Sequence, residues 1–452
     1  MASQLYERMV ASLPELVARA KSDNDYEPYN YTSKNGHVCA MPRPLTNTET
    51  AKLAGGYDFF TINQIITGAC ACFTLLSLFI LMFRHATHLS RPNEQLNILR
   101  ICCYLPVFAI GCFLEVSFPN AYVYINPWID FVQSIALCNF FLLMCQFVSP
   151  SDQHREVFFA ALKVPQKKKK NSGGRGGRRA RGRRGDYGPE PEIEQEPING
   201  LEWYRKMWML IFQYPAVQAL VAIFTAIFES QGVYCLVSSK PYFGHLWLDI
   251  IHNVSLTLAI LSCLRLYGAL KSQLAHHKPL AKLAAFKLLV AITGIIQLIY
   301  WILRSISPSP LKPTASLSWS DDFIGIPVMV MALLTVPFSI FFHFAYDVKP
   351  YYLENAGKHL PLAQADLESG GGYGSAGGSP APPAKPAHYS AVGAAGTRYQ
   401  GGFLGIWAWL GLLNPSELIS GFVFGFTMLS KENRKVGVTT VRRAQTGEFG
   451  HA

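Results

Sequence analysis

The run FFTINQIITGACACFTLLSLFILMF, Phe59 to Phe83, contains no Asp, Glu, Lys or Arg in 25 residues. An α-helix rises about 1.5 Å per residue, so roughly 20 apolar residues cross a hydrocarbon core about 30 Å thick. This run is long enough to span a membrane. Met207 to Phe228 and Phe323 to Phe342 are equally free of charge. Four further stretches carry isolated charges: Leu99 to Phe118 with Arg100 and Glu115, Trp128 to Val148 with Asp130, Phe243 to Leu264 with Asp249, and Leu283 to Leu303 with Lys287. Seven such stretches in succession leave no amphipathic shell to face water, which argues against a soluble helical protein. The pattern predicts an all-α polytopic membrane protein: a seven-transmembrane helix bundle with a disordered cytosolic insert and tail.

The loops give the stretches a direction, because Lys and Arg concentrate on the cytosolic side of a membrane. The first loop has Arg84, Arg91 and Arg100, the third has the largest basic run of the chain, and the fifth has Arg265, Lys271, Lys278 and Lys282. The second loop, SFPNAYVYINP, is uncharged, and the fourth and sixth carry little net charge. The bias places the N terminus outside or in a lumen and the C terminus in the cytosol. Asn30-Tyr31-Thr32 then becomes a glycosylation sequon on the external side. Of the ten cysteines, Cys39 and Cys235 fall in external segments and the rest in apolar spans, so a Cys39–Cys235 disulfide is expected in an oxidising compartment.

The formal net charge of +11 resides in one place. Lys163 to Arg184, KVPQKKKKNSGGRGGRRARGRR, holds eleven Lys and Arg and no acid, so the remainder of the chain is neutral. Its Gly-rich, apolar-poor composition predicts disorder, and the acids from Asp186 to Glu196 partly offset it. The run serves as a topology determinant and can attract anionic lipid headgroups, at about 1 kcal/mol per basic residue near the surface. It has no interleaved aromatics for base stacking, so no nucleic-acid partner is expected.

Beyond Asp347 the chain is rich in Gly, Ala, Pro and Ser, as flexible linkers are. Two apolar runs follow, FLGIWAWLGLL and LISGFVFGFTML, each too short to span. An eighth span across both would carry Lys431, Arg434, Lys435, Arg442 and Arg443 outside, against the charge bias. They are expected to be interfacial helices on the cytosolic leaflet, with packing against the cytosolic mouth of the bundle as the alternative. The division is therefore an extracellular or lumenal tail at 1–57, spans one to three at 58–162, a disordered basic insert at 163–200 and spans four to seven at 201–346. A flexible linker at 347–402, amphipathic interfacial helices at 403–430 and a basic C-terminal tail at 431–452 complete it.

Candidate functional residues are the polar ones inside the spans, since an ionisable group at bilayer depth costs on the order of 3 kcal/mol and is normally kept for a reason. The third span offers Asp130, Gln133, Ser134 and Asn139; the first three share a helical face at i, i+3 and i+4. The fifth offers Asp249, His252 and Asn253, again read as one face, and the sixth offers Lys287 and Gln297. Together they outline a polar pathway, with Lys287 suited to an organic anion. The bland alternative is interhelical hydrogen bonding alone. His245, Asp249 and His252 at i, i+4 and i+7 mimic a metal triad, but one helix rarely supplies all three ligands, since i and i+7 lie about 10 Å apart along the axis. No metal, no cofactor and no enzymatic activity are expected.

The residues Pro92, Gln95, Arg100, Ile101, Pro106 and Pro119, in RPNEQLNILRICCYLPVFAIGCFLEVSFP, with Asp130, Asn139 and Phe140 downstream, resemble the signature of the organic solute transporter alpha-subunit family. A second block, Asn253, Ser255, Tyr267, Pro279, Lys282 and Lys287, matches in order, with Gln297 where the family often has a Trp-Gln pair. The resemblance covers roughly Phe59 to Leu353. It departs at Ile129, Val132 and Gln133, where the family often has Arg, Tyr and Glu, which puts a cation-coupled step at Gln133 in doubt. It implies seven spans, an external N terminus, and movement of amphipathic organic solutes such as steroid conjugates, in animals with a small single-span partner. A homo-oligomer or such a partner is left open here.

Three classes follow. The resemblance and the buried charges point to a facilitative transporter, or transporter-like subunit, for amphipathic solutes such as steroid or lipid-like anions. A seven-span receptor is disfavoured, because the third span ends in CQFVSPSD and the seventh in FFHFAYDVKPYY, without receptor-type Asp-Arg-Tyr or Asn-Pro-x-x-Tyr elements. A membrane-organising or trafficking scaffold would use the basic insert and tail. Plasma membrane and vacuolar or other endomembranes are equally compatible.

Overall fold

The computed structural model describes residues 31–41, 45, 51–53, 55–149, 152–164, 198–274, scattered positions between 281 and 303, 314, 316–354 and 399–427. Its helices are α1 (Phe59–Thr87), α2 (Pro92–Ser117), α3 (Tyr122–Val148), α4 (Asp152–Ala161), α5 (Gly200–Ser230), α6 (Gly244–Ala269), α7 (Lys271–Leu274), α8 (Ile326–Ala345), α9 (Ile406–Leu413) and α10 (Ser416–Thr427). Six of the described helical segments are long and apolar enough to cross a membrane: Phe59–Thr87, Pro92–Ser117, Pro119–Val148, Gly200–Ser230, Gly244–Ala269 and Asp321–Tyr351. The protein is an all-α polytopic membrane protein. The expected sixth span, Leu283 to Leu303, lies mostly outside the described residues, as do Asn30, Pro279, Lys287, Gln297, most of the basic insert and the tail from residue 428 onward.

Local chemistry sets the helix ends. Asp58 caps α1 by accepting from the Thr61 N–H at 3.3 Å, and hydrogen bonding from Thr61, its side chain foremost, holds the carboxyl below the ordinary carboxylate range. Pro92 occupies the first turn of α2, where its missing N–H is no loss. The Gln95 Oε1 accepts from the backbone N–H of Ser90 at 2.8 Å and of Arg91 at 2.9 Å, closing the tight turn between α1 and α2. Two family-signature residues are thus explained by turn geometry.

The helices pack in a chain of neighbours. α1 lies on α2, α2 on α3, α3 on α5, α5 on α6, and α8 returns to α1 and α2. α3 is the central helix: its second half, Ala136 to Cys145, is buried at every position but none of it is charged. α8 is fastened to α1 by a ladder of polar contacts running the length of both. Asn63 Nδ2 donates to Gly325 O at 2.9 Å, the Thr74 and Thr335 hydroxyls meet at 2.9 Å, Ser77 Oγ meets His343 Nε2 at 3.2 Å, and His85 Nε2 meets Tyr346 O at 2.9 Å. Such interhelical hydrogen bonds hold helices together where lipid offers no hydrophobic drive.

One end of the bundle is strapped by the N-terminal tail. A two-stranded hairpin, β1 (Tyr31–Thr32) and β2 (Val38–Cys39), lies on the α5–α6 loop. Tyr31 Oη donates to Tyr234 O at 2.6 Å, Ser33 Oγ donates to Gly232 O at 2.8 Å, and His37 stacks on Tyr242 at 3.7 Å. A disulfide joins Cys39 to Cys235 across 196 residues of sequence. The opposite end carries α9 and α10. Gln400 N donates to Leu89 O at 2.7 Å, and the two helices lie along α1, α2 and α5 rather than apart from the bundle. The alternative packing mode is therefore the one present for their inner faces, because Arg100 and Trp208 offer them hydrogen bonds that a free lipid surface does not.

Replacing Cys235 by Ser removes the cross-link and should cost about 2–5 kcal/mol of stability, read as a lowered Tm of the purified protein. Alkylation of Cys39 and Cys235 should require prior reduction; labelling of both in the untreated native protein contradicts the bond.

Candidate functional site

Between the two ends, polar side chains from four helices converge. α2 contributes Tyr104 and Glu115, α3 contributes Asp130 and Gln133, α5 contributes Tyr214 and Gln218, and α6 contributes His252. Asp130 and His252 each lie eight residues inside their helices, about 12 Å from the end that bears the tail hairpin. Their nearest approach is 3.8 Å, from Asp130 Oδ2 to His252 Nδ1. Gln218 Nε2 reaches the same ring nitrogen at 2.5 Å. Asp130 also lies within electrostatic range of Glu115 and Asp249. Glu115 is only 2 % exposed, and its Oε1 makes no hydrogen bond.

A second strand of the cluster ties α2, α3 and α5. Tyr104 Oη donates to Gln133 Oε1 at 2.9 Å, and Gln133 Nε2 reaches Tyr214 Oη at 3.4 Å. Nearby, Ser255 Oγ donates to Gln213 Oε1 at 2.9 Å while Gln213 Nε2 donates to Ser255 O at 3.2 Å, so α5 and α6 are joined twice. The result is a band of carboxylate, imidazole, amide and phenol groups flanked by apolar helix faces, with the Asp130 and His252 side chains 28 % and 18 % exposed. Chemically it can exchange hydrogen bonds with the polar end of a guest.

The sequence-based candidates divide. Asp130, Gln133 and His252 are brought together. Asn139 is buried but turned back on its own helix, donating to Ile135 O at 2.8 Å. Asp249 and Asn253 do not join the cluster: the Asp249 side chain is 59 % exposed and lies 3.7 Å from His245, and Asn253 donates to Asp249 O at 2.9 Å on the exposed side. Helix geometry gives the reason, for residues i+3 and i+4 lie on opposite flanks of residue i, about 100° apart. His252 turns inward and Asn253 turns out. His245 and His252 stand about 10 Å apart along the axis of α6, and among the described residues no group of three or more His, Cys, Asp or Glu is placed to hold a metal.

Several signature residues, Pro92, Gln95, Arg100 and Lys282 among them, lie toward the other end, whereas Pro119 lies at the tail-bearing end. Tyr351 Oη donates to Glu94 Oε2 at 3.1 Å, Ser90 Oγ donates to Tyr351 O at 2.8 Å, and Tyr346 Oη donates to Lys282 O at 3.2 Å. Lys282 Nζ sits 4.4 Å from the Phe147 ring centroid, a cation–π distance. Pro106 is inside α2, Pro119 opens the turn before α3, and Tyr267 packs partly buried against the core. These positions close the bundle rather than line the cluster.

Tyr104, Glu115, Tyr214 and Gln218 were not among the candidates. Glu115 had a legible signal, a lone carboxylate in an apolar run. Tyr214 and Gln218 had none, since their span lacks charge and reads as scaffold.

A family model described as organic solute transporter Ostalpha matches residues 63–351. The protein LAZ1 of Arabidopsis thaliana is 27% identical over 324 residues, which is 67% of this chain and 61% of that protein. A transmembrane protein 184 homolog of Dictyostelium discoideum is 22% identical over 250 residues, 54% of this chain and 43% of that protein. The LAZ1 homolog 1 of Arabidopsis thaliana is 26% identical over 230 residues, 48% of this chain and 44% of that protein. The matches thus span about half the length of these curated relatives. No solved structure matches.

Replacing Gln133 by Leu removes the link between Tyr104 and Tyr214 and should cost about 1–2 kcal/mol. The corresponding change at exposed Asn253 should leave the Tm of the solubilised protein unchanged. Equal losses at both positions contradict the placement.

Proposed function

The chain belongs to the organic solute transporter Ostalpha family, and from that premise we propose that it moves, or helps to move, amphipathic organic solutes such as steroid or lipid-like anions across a membrane. The observation that supports this most is the Asp130–His252–Gln218 group, set about 12 Å inside a bundle of predominantly apolar helices. Ionisable residues at such depth are costly and mark pathways more often than they serve as glue. An amphipathic guest needs both features present here, a polar contact and a long apolar wall. Lys287, one helix beyond in sequence and outside the described residues, is the proposed contact for the anionic head.

Asp130 is the proposed gating or coupling group, and His252 joins it in that role. Asp249, exposed on α6, is given up as a lining residue. Movement is proposed to be facilitative, driven by the gradient of the solute, with no catalytic step. The Lys and Arg bias of the loops supports an external or lumenal N terminus and a cytosolic C terminus. The Cys39–Cys235 disulfide, at the end that bears the tail, supports the same orientation, since disulfides persist in oxidising compartments. The plasma membrane and the vacuolar or other endomembranes both fit. Anionic headgroups are the proposed partners of Lys163 to Arg184, and a second copy or a small single-span protein remains a proposed partner of the bundle.

Proteoliposomes loaded with labelled steroid sulfates or fatty-acid-like anions test the proposal. Asp130→Asn and His252→Ala should each reduce flux about tenfold, the equivalent of roughly 1.4 kcal/mol, and Lys287→Ala should raise the half-saturating concentration of the anion. Deletion of 165–197 should leave flux intact. Absence of flux for every amphipath moves the chain to a membrane-organising scaffold, and unaffected flux in both Asp130 and His252 variants removes the site.

A further inference from the structure

The segment from Phe403 to Thr427 contains a single charged residue, Glu417, and that carboxylate is bonded to Arg100 on α2. Arg100 also donates through Nη2 to Gly411 O and Asn414 O, both at 3.0 Å. Gly411 O, in the last turn of α9, also takes the Asn414 N–H at 3.3 Å, and Asn414 O lies at the turn before Pro415. One guanidinium therefore engages a carboxylate and two backbone carbonyls at the tip of a helical hairpin. Asn414 Oδ1 takes the Ser416 N–H at 3.0 Å, so the turn is closed from within as well.

The hairpin is seated, not merely adjacent. Trp409 stacks on Phe79 of α1 at 5.7 Å, Trp208 Nε1 of α5 donates to Gly421 O at 2.9 Å, and Phe422 meets Phe212 edge-on at 5.5 Å. Two glycines permit the approach: a Cβ at Gly411 would fall 2.8 Å from Leu96, and one at Gly421 would fall 2.5 Å from the Phe212 ring. The hairpin thus bridges α2 and α5, the two neighbours of the central helix α3.

Its depth follows from the helices that hold it. Arg100 and Trp208 each lie eight residues inside their helices, and Phe79 lies eight residues before the end of α1, so the tip reaches about 12 Å inward from the helix ends. α2 is 26 residues and thus about 39 Å long, whereas the hydrocarbon core is about 30 Å thick. Roughly 5 Å of α2 projects at each end, which sets the tip about 7 Å below the hydrocarbon boundary. The outer face at this depth is apolar. Trp407 is 65 % and Leu413 78 % exposed, Leu410, Ile419 and Val423 are exposed as well, and the surface continues into the exposed Leu76, Phe79 and Ile80 of the spanning helix α1.

We infer that α9 and α10 form a re-entrant hairpin, clamped by Arg100, that enters one leaflet without crossing it and whose outward face is covered by lipid acyl chains. Continuity with the lipid-facing side of α1 selects acyl chains as the occupant. Irregular backbone at membrane depth is tolerated only where protein satisfies it, and the Arg100 fork supplies that satisfaction. The hairpin differs from a helix lying flat at the headgroups, whose polar side needs water.

The full chain, reconstituted in phosphatidylcholine liposomes with a photoactivatable phospholipid, tests this by mass-spectrometric mapping of adducts. A probe carried at the end of the acyl chain should label Leu410, Leu413 and Ile419, while a headgroup probe should not. Arg100→Ala and Glu417→Ala should lower acyl labelling of the hairpin about fivefold and leave labelling at Leu76 unchanged, which controls for folding. Should Arg100→Ala not reconstitute, Gly421→Leu carries the same expectation. Labelling by the headgroup probe alone, protection from both probes with cross-links between copies, or unaltered acyl labelling in both clamp variants would each overturn the inference.

Discussion

Hydrocarbon offers no hydrogen-bond partner, so every polar atom that enters it must be satisfied by the protein. That constraint organises the chain. The backbone answers it with helices, and the side chains answer it in three places along the bundle. At the tail-bearing end, Tyr31 and Ser33 engage the carbonyls of the α5–α6 loop beside the Cys39–Cys235 bond. Along α1 and α8, a ladder from Asn63 to His85 pairs polar groups across the interface. At the far end, Arg100 takes up the tip of the α9–α10 turn. Each arrangement couples elements far apart in sequence, since local partners are already consumed by the helices themselves.

Polar groups satisfied in this way are structural, and the contrast with them defines the central cluster. Gln133 belongs to the structural kind, being held between two tyrosines. Glu115 does not: it is buried, with one carboxylate oxygen unmatched, and it shares electrostatic range with Asp130. An unmatched acid in an apolar bundle opposes folding and has no packing rationale.

The fold was legible because hydropathy records the solvent each residue meets. Phe59 to Phe83 and its counterparts announced helices of membrane length, and loop charges gave direction without any tertiary information. The site was legible only by halves. Asp130 and His252 stood out because charge in an apolar run is rare, yet Asp249 stood out equally and lies on the outside, since residue type does not encode which flank of α6 meets α3. Gln218 was silent, because a lone amide in an uncharged span reads the same whether it ties helices or touches His252. For the final helices the sequence left two readings open, an interfacial one and packing against the bundle. Their apolar character suggested a lipid surface, and it took the three-dimensional position of Arg100 to reveal the bundle as the second partner.

The arrangement of α6 suggests how a guest and the bundle could be coupled. Among the described residues, α6 packs extensively on α5 and meets α3 at few positions. The polar link between α6 and α3 is the His252–Asp130 approach, and Gln218 of α5 competes for the same ring nitrogen. A solute headgroup that hydrogen-bonds to His252 or Asp130 therefore acts on the sparse side of α6, not on the doubly bonded Gln213–Ser255 side. Were the proposed solute to bind there, the contact it would displace is that of α6 with α3, while the Gln213–Ser255 bonds would keep α6 on α5. The pair α5–α6 would then move as one body, tethered at its loop by the Cys39–Cys235 disulfide.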